Sequence, residues 1–391
     1  MKKSFAFGLA VLTFAAGLLT SYLYMHHKYE PDIGTNALPV SEFARAEEII
    51  DKYYLRDYDM EDLQYAALKA MFAALKDPYT SYYTPEEYAA LTNDLSGQYY
   101  GLGMEISLDE ATGLAEVQYF LDGSPAQAAG VQIGDLIVSV DGQDVSGMTL
   151  QEISTLCVGA EGAPITIGVK RGEETLAFDM KRGEISRDMV TFSMLDGGVG
   201  YMRIVQFGGN CEAEFGEALD YFAEQSAKGI VIDLRNNPGG YLNVVVAVLD
   251  KLLPEGTVVY TEDKQGNRET FTSDASCIET PIVLLVNANT ASAAEIFAGA
   301  VQDYDRGEVV GTTTYGKGVV QNILEIETGA GIKITSSQYF TPKGRSIDGN
   351  GIYPDVYVGS QVSGVPDPDT DAFRQDAQVN QALAVLMEEM S

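Results

Sequence analysis

Histidine and tryptophan are the scarcest residues of this 391-residue sequence: tryptophan is absent, and the 2 histidines are His26 and His27. Both histidines adjoin an apolar N-terminal segment and lie far along the chain from the motifs discussed below. A Ser-His-Asp triad is therefore not expected unless that end of the chain folds back. A serine nucleophile elsewhere in the chain would need another base.

Cysteine and basic residues are also few. Three widely spaced cysteines, Cys157, Cys211 and Cys277, form neither a metal-binding pattern nor an even set for disulfides, so we predict reduced core residues. The 25 basic residues are outnumbered by 57 acidic ones, which gives a net charge of −32. Phosphate groups would be repelled by this charge, so we expect neither DNA nor RNA as a partner.

The segment from Phe5 to Met25 contains no charged residue and follows Lys2 and Lys3. It is long enough to cross a bilayer, and the lysines favour a cytoplasmic N-terminus. A cleaved signal peptide is the alternative, although Ala15-Ala16-Gly17 is a poor cleavage site. We predict an uncleaved membrane anchor within residues 1–30, which places the rest of the chain outside the cytoplasm.

Periodicity and glycine content divide the remaining chain into regions, and together they predict an α+β multidomain protein. Residues 31–96 have helical apolar spacing and form an N-terminal helical region suited to packing or homodimerisation. Residues 185–360 alternate strands with helices, which predicts a mixed α/β core with its site at strand ends. Residues 361–391 combine a linker with an amphipathic helix from Phe373 to Met390, suited to docking or dimerisation.

Residues 97–184 have the strand and turn order of a PDZ domain. The region opens with a glycine loop consisting of Gly101, Leu102, Gly103 and Met104. If the resemblance holds, the backbone N–H groups of this loop bind the C-terminal carboxylate of a peptide. The peptide then adds as a strand beside Met104–Ser107. The alternative is that Gly-Leu-Gly is a plain turn.

Ser292 is the candidate nucleophile. It lies between the apolar run Ile282–Val286, which predicts a buried strand, and a predicted helix beginning near Glu295, whose first N–H groups are free. Lys317, between two glycines, is the candidate base. Burial would have to lower the pKa of this lysine from its reference value of about 10.4 by several units. The alternatives are a helix-capping serine and a turn lysine.

Two further groups would complete such a site. Gly239 and Gly240 follow the predicted strand Gly229–Leu234, and their N–H groups would suit an oxyanion if Ser292 comes near. A plain strand-to-helix turn is the alternative. If residues 317–323 form a strand, Lys317 and Gln321 share one face, so Gln321 could hold the lysine amine in position.

Residues 311–317 also fit the Gly-x-x-x-x-Gly-Lys start of a nucleotide-binding P-loop. Such a loop needs Ser or Thr next and then a helix, whereas Gly318 and a predicted strand follow here. Nucleotide binding is therefore disfavoured, and we expect neither a cofactor nor a metal ion.

Taken together, three segments of the sequence resemble the C-terminal processing peptidases, which are tail-specific, PDZ-containing serine proteases. They are Thr290–Glu295, Tyr315–Gln321 and Asp233–Gly240. The resemblance implies Ser292 as nucleophile, Lys317 as general base and Gln321 as its orienting partner. It also implies polypeptides with free C-termini as substrates.

The same resemblance supplies two further sets of residues. The oxyanion donors would be the backbone N–H of Ala293 and that of Gly239 or Gly240. Pro238 stands where many relatives have glycine and removes one potential donor. Arg171 matches an arginine that couples the PDZ domain to the active site in some relatives. A non-catalytic, membrane-tethered PDZ scaffold is the alternative to a protease.

Overall fold

The computed structural model describes residues 40–109, 111–121, 123–359 and 364–390. The predicted membrane anchor and both histidines lie outside these residues. Among the residues that the structure describes, no helix is both long and apolar enough to cross a membrane. The described residues separate into two compact units, one ending at Ala67 and the other beginning at Leu68.

The first unit contains helix α1 (Val40–Tyr53) and the first half of helix α2 (Met60–Ala73). The side-chain amide of Gln64 donates a hydrogen bond of 2.7 Å to the carboxylate of Glu47. These helices confirm the helical spacing seen in the sequence, although several of their large apolar side chains, including Phe43 and Leu63, are exposed.

The prediction that residues 31–96 are helical is wrong at one place. Strand β1 (Ser81–Tyr83) precedes helix α3 (Pro85–Ser96) and pairs antiparallel with a strand near the other end of the chain, where Tyr82 lies opposite Ile332. A strand whose partner lies this far along the chain leaves no local periodicity of its own. The helical spacing of the neighbouring residues is then the only pattern visible in the sequence. A capping box starts α3, because the side chains of Thr84 and Glu87 each accept a hydrogen bond from the other's backbone N–H.

The region predicted as a PDZ domain is built on an antiparallel sheet with strand order β3-β4-β5-β7-β8. Its elements are β2 (Gln98–Gly101), β3 (Met104–Leu108), β4 (Ala115–Phe120), α4 (Pro125–Ala129), β5 (Leu136–Val140), β6 (Gln143–Asp144), α5 (Leu150–Cys157), β7 (Pro164–Arg171), β8 (Glu174–Lys181) and β9 (Gly183–Ser186). Strand β3 is an edge of this sheet, α5 packs beside it, and β2 pairs with β9.

The core that follows is built on a sheet with strand order β10-β11-β12-β15-β16-β19. Its strands are β10 (Val190–Leu195), β11 (Val199–Ile204), β12 (Gly229–Asp233), β15 (Ile282–Val286), β16 (Gly307–Gly311) and β19 (Val356–Tyr357). Only β10 runs antiparallel to its neighbour within this sheet. Both β12 and β15 are buried along their whole length, as expected for central parallel strands covered on both faces.

Three helices and a second sheet cover one face of this core sheet. The helices are α6 (Cys211–Glu224), α7 (Leu242–Asp250) and α8 (Ala293–Asp303), and the second sheet contains β13 (Gly256–Asp263), β14 (Arg268–Ser273), β17 (Val319–Glu325) and β18 (Gly331–Phe340) in addition to β1. Because β12 and β15 are parallel neighbours, the turn after Asp233 and the loop after Val286 begin side by side. This is the sheet edge at which ligands bind in such folds.

The C-terminal segment forms two helices rather than the single predicted one. Helix α9 (Asp371–Gln375) ends at Asp376, and helix α10 (Ala377–Glu389) begins after it. Asp376 caps α10 by accepting hydrogen bonds from the N–H groups of Gln378 and Val379. The buried face of α10 packs on the core sheet, so the predicted docking of this segment is confirmed.

Candidate active site

Ser292 lies in the short loop between β15 and α8, immediately before the first residue of the helix. Its backbone has φ 57° and ψ −120°, a region that residues other than glycine rarely adopt. Strained backbone of this kind is concentrated at functional sites, where the surrounding structure holds it in place. The side chain is half-buried, so the hydroxyl is accessible from the cavity described next.

Ser292 and Lys317 line the same cavity, which has a volume of about 280 Å³. Pro238, Gly239, Gly240, Ala293, Gln321, Lys333 and Tyr339 line it as well. Burial is the main cause that lowers the pKa of Lys317 to about 8, and the like charge of Lys333 lowers it further. The negative charges of Asp77 and Glu295 oppose this shift. Near neutral pH a minor fraction of Lys317 is therefore uncharged, and this fraction grows as the pH rises toward 8.

The lysine loop is shaped by its two glycines. Gly316 has φ 91°, and a Cβ atom on Gly318 would lie 2.4 Å from the backbone nitrogen of Asp348. The Lys317 amine stands over the ring of Tyr79 at 4.9 Å from its centroid. Strand β17 follows directly, as predicted, whereas a P-loop would need a helix at this point.

The turn at Gly239 and Gly240 lies against the serine loop, which is the loop that carries Ser292. This proximity is the condition under which the sequence predicted an oxyanion role for the two glycines. A Cβ atom on Gly239 would lie 2.8 Å from Cβ of Ser292 and 2.9 Å from the backbone nitrogen of Ala293. The N–H of Gly239 is occupied, because it donates to Asn237 Oδ1 at 2.8 Å. Among the described residues, the N–H groups of Gly240 and Ala293 have no hydrogen-bond acceptor.

Hydrogen bonds of asparagine residues connect this turn to the loop that carries Ser292. Asn237 accepts a hydrogen bond of 3.0 Å from the N–H of Ala291, next to Ser292, and its side chain donates to Ile204. Asn236 accepts hydrogen bonds from the side-chain amides of Asn287 and Asn289. These bonds fix the relative positions of the two strand-end loops that carry the candidate nucleophile and the free N–H groups.

Two buried residues of the site had no role in the sequence-based prediction. Glu295 accepts hydrogen bonds from the N–H groups of Ser292 and Lys317, both at 2.9 Å. The hydroxyl of Tyr339 contacts the carbonyl oxygens of the same two residues. The Ser-x-x-Glu spacing is a capping-box signal from which Glu295 was predictable, whereas Tyr339 is brought in by β18 and has no local signal.

Gln321 lines the cavity with Lys317, but its side-chain amide donates hydrogen bonds to groups other than the lysine. Its amide nitrogen lies 3.4 Å from the carbonyl oxygen of Val319 and 3.4 Å from the hydroxyl of Thr335. The role of Gln321 as orienting partner of the lysine stays a prediction.

The predicted peptide-binding loop connects β2 to the edge strand β3. Gly101, Leu102 and Gly103 are buried, and Met104 is partly buried. The carbonyl oxygen of Leu102 accepts hydrogen bonds from Ser124 and Ala126, which fixes the loop. Within the described part of the chain, the N–H groups of Leu102 and Gly103 have no acceptor. The loop therefore keeps donors of the kind that bind a carboxylate.

Arg171 contacts groups of its own domain. Its guanidinium forms two hydrogen bonds of 2.7 Å with the buried carboxylate of Asp135 and a third, of 3.0 Å, with the carbonyl oxygen of Gly130. Arg171 also holds the pKa of Asp135 below its ordinary value, although burial of the carboxylate opposes that shift. The predicted coupling role of Arg171 is neither supported nor opposed by these contacts.

Comparison with known proteins gives two family matches. Residues 198–358 match the peptidase family S41, and residues 117–171 match the PDZ domain. A carboxyl-terminal-processing protease from Synechocystis sp. is 37% identical over 315 residues, which cover 79% of this chain and 74% of that protein. A protein of the same description from Picosynechococcus sp. is 36% identical over 325 residues, covering 81% and 78%.

A solved structure of a photosystem II D1 C-terminal processing protease is 33% identical, with a TM-score of 0.49, over 82% of this chain and 87% of that one. Ser292 and Lys317 fall within the S41 match, and the PDZ match covers most of the sheet whose edge strand is β3. From the two family matches and the two curated relatives we conclude that the chain belongs to peptidase family S41, as a PDZ-containing carboxyl-terminal-processing serine protease.

Proposed function

We propose that the protein is an endopeptidase in which Ser292 is the nucleophile and Lys317 its general base. The observation that carries this proposal is that both side chains line one cavity in which burial lowers the pKa of the lysine to about 8. A lysine that is partly neutral near pH 7 can accept the proton of a serine hydroxyl. Gln321, on the same cavity wall, is proposed to orient the amine during the reaction.

The proposed chemistry needs no group other than those of the chain. Neutral Lys317 takes the hydroxyl proton of Ser292 as the oxygen attacks the substrate carbonyl carbon. The resulting oxyanion is held by the N–H groups of Ala293 and Gly240, because that of Gly239 is already bonded to Asn237. The lysine ammonium then protonates the leaving amine, and water hydrolyses the acyl-enzyme with Lys317 again as base.

We further propose that the PDZ domain binds the C-terminal tail of the substrate. The tail would add as a strand to the free edge of β3, beside α5, with its carboxylate on the N–H groups of Leu102 and Gly103. If Arg171 couples tail binding to the active site, it has to exchange its hydrogen bonds with Asp135 for others.

We also propose that the protein is anchored to a membrane and forms a homodimer. The uncharged segment Phe5–Met25 supports a membrane anchor, with the protease outside the cytoplasm. The exposed apolar side chains of α1 and α2 are suited to homodimerisation.

The proposal is tested by cleavage of a tailed polypeptide with purified Ser292→Ala, Lys317→Ala and the exposed-lysine control Lys264→Ala. We expect the first two variants to lose at least about 10³-fold in kcat/KM and the control to match the wild type. Binding of the tail should persist in Ser292→Ala and weaken when the tail ends in an amide. Full cleavage by both site variants would overturn the dyad, and an inactive wild-type protein that still binds tails would indicate a scaffold.

A further inference from the structure

Glu295 is a fully buried carboxylate, 0% exposed, in the first turn of α8. Within the described part of the chain Glu295 forms no ion pair. Among its direct contacts, hydrogen bonds alone therefore stabilise the negative charge. Burying a carboxylate is costly unless its oxygens are fully hydrogen-bonded. Its partners therefore show which groups this carboxylate is placed to hold.

Each oxygen of Glu295 accepts two hydrogen bonds. Oε1 accepts from the hydroxyl of Thr314 at 2.6 Å and from the N–H of Gly316 at 2.7 Å. Oε2 accepts from the N–H of Ser292 and from the N–H of Lys317, both at 2.9 Å. One oxygen atom thus joins the backbones of the two proposed catalytic residues directly.

A second contact joins the same two backbones. The hydroxyl of Tyr339, on β18, lies 3.1 Å from the carbonyl oxygen of Ser292 and also contacts the carbonyl oxygen of Lys317. Glu295 therefore accepts from the N–H groups of both residues, and their carbonyl oxygens share the single proton of the Tyr339 hydroxyl. Because α8 and β16 separate Ser292 from Lys317 along the chain, these contacts fix a distance that chain connectivity does not.

We propose that Glu295 is a positioning residue for the reaction: its carboxylate, assisted by Tyr339, sets the separation and orientation of Ser292 and Lys317. This inference rests on the proposed dyad. It assigns a function to a side chain that contacts neither the substrate nor the reacting atoms.

The charge of Glu295 has a second effect, on the protonation of Lys317. The charged and titratable groups that face Lys317 are Lys333 on β18, Asp77 and Tyr79 in the segment before β1, and Glu295 on α8. Negative charge at Glu295 stabilises the ammonium form and raises the pKa of Lys317, against the lowering by burial. Removing the charge at Glu295 therefore lowers that pKa and moves the acidic limb of the activity profile to lower pH.

Glu295→Gln is the most informative variant. Whichever oxygen the amide nitrogen replaces, at least one of the N–H groups of Ser292, Gly316 and Lys317 loses its acceptor. We expect kcat to fall about 10²-fold with KM little changed, as for a misplacement of reacting groups by about 1 Å. The acidic limb of kcat/KM should move to lower pH.

Two variants and one control separate positioning from loss of fold. Glu295→Asp keeps both oxygens and the charge, so it should regain part of the activity and keep the wild-type pH profile. Tyr339→Phe should lower kcat about tenfold, because it removes one hydrogen-bonding hydroxyl. Glu214→Gln is the matched control: Glu214, on helix α6, also accepts two backbone N–H bonds, from Met189 at 2.7 Å and from Val190 at 2.9 Å. It should lower stability without changing kcat or the pH profile.

The outcomes distinguish this inference from the dyad itself. If Lys317→Ala is inactive while Glu295→Gln matches the wild type in kcat and pH profile, the positioning role is wrong and the dyad stands. If Lys317→Ala is fully active, the dyad is wrong. If Glu295→Gln does not fold, Glu295→Asp decides: a lowered kcat at unchanged KM supports the inference, and an unchanged kcat overturns it.

Discussion

At the scale of single residues, the backbone of Gly239 sets how closely the turn can approach Ser292. Its φ of 104° lies in a region that side chains rarely adopt, and a Cβ atom there would lie 2.8 Å from that of Ser292. The turn brings the N–H of Gly240 toward the serine only if nothing larger than hydrogen stands between the two loops. The glycine is therefore required for packing as well as for conformation.

We predict that Gly239→Ala lowers kcat/KM by about 10² to 10³-fold, the loss typical of a missing oxyanion donor. The control is Gly266→Ala, which also has a positive φ, 81°, but has nothing within 4 Å of its Cβ position. Gly266→Ala should lose about 1 kcal/mol of unfolding free energy, because alanine is strained at positive φ. Gly239→Ala should lose more, because its Cβ also meets the backbone of the loop that carries Ser292. Equal activity of the two variants would contradict the close approach.

At the scale of secondary-structure elements, the C-terminal helix is held by a buried ionic cluster. Arg235, at the start of the proposed oxyanion turn, forms ion pairs with Asp233 and Asp376, and all three side chains are nearly inaccessible. The hydroxyl of Tyr201 donates to Asp233 at 2.8 Å, and Gln378 accepts from Arg235 at 3.2 Å. The cluster joins α10 to the end of β12 and hence to the turn.

We predict that Asp376→Ala lowers the unfolding free energy by about 3 kcal/mol, since it removes a helix cap and one partner of a buried charge. The measurement is urea-induced unfolding. The control, Asp371→Ala, removes an exposed ion pair with Arg374 and should change stability by less than about 0.5 kcal/mol. A loss at Asp376 no greater than that at Asp371 would show that the cluster contributes little.

The sequence predicted these elements where the signal was local. The buried strand Ile282–Val286 and the helix after Ser292 are both present. Strand β1 was missed because its partner lies about 250 residues away. The break at Asp376 was missed although its signal is local, because aspartate is a common N-cap and Asp376 accepts hydrogen bonds from the N–H groups of Gln378 and Val379.

At the scale of the whole molecule, the pattern of strands and helices predicted the α+β class and the PDZ domain, and the family resemblance predicted a C-terminal processing peptidase. Physical reading of the sequence alone left Ser292 and Lys317 as separate candidates. The fold brings both to one cavity, because parallel strands β12 and β15 end together and β17 returns the lysine to the same edge. Glu295 and Tyr339 hold the lysine loop to the serine loop, and this long-range arrangement was not predictable from spacing.

The most direct test of the central claim is the pH dependence of covalent labelling of Ser292 by a fluorophosphonate, a reagent that reacts with activated serines. The account predicts that the labelling rate rises with a pKa of about 8 and levels off above it, as neutral Lys317 accumulates. Lys317→Ala should lower the plateau by about 10² to 10⁴-fold, the range of general-base catalysis. A labelling rate that is independent of pH from 6 to 10, or unchanged in Lys317→Ala, would contradict it.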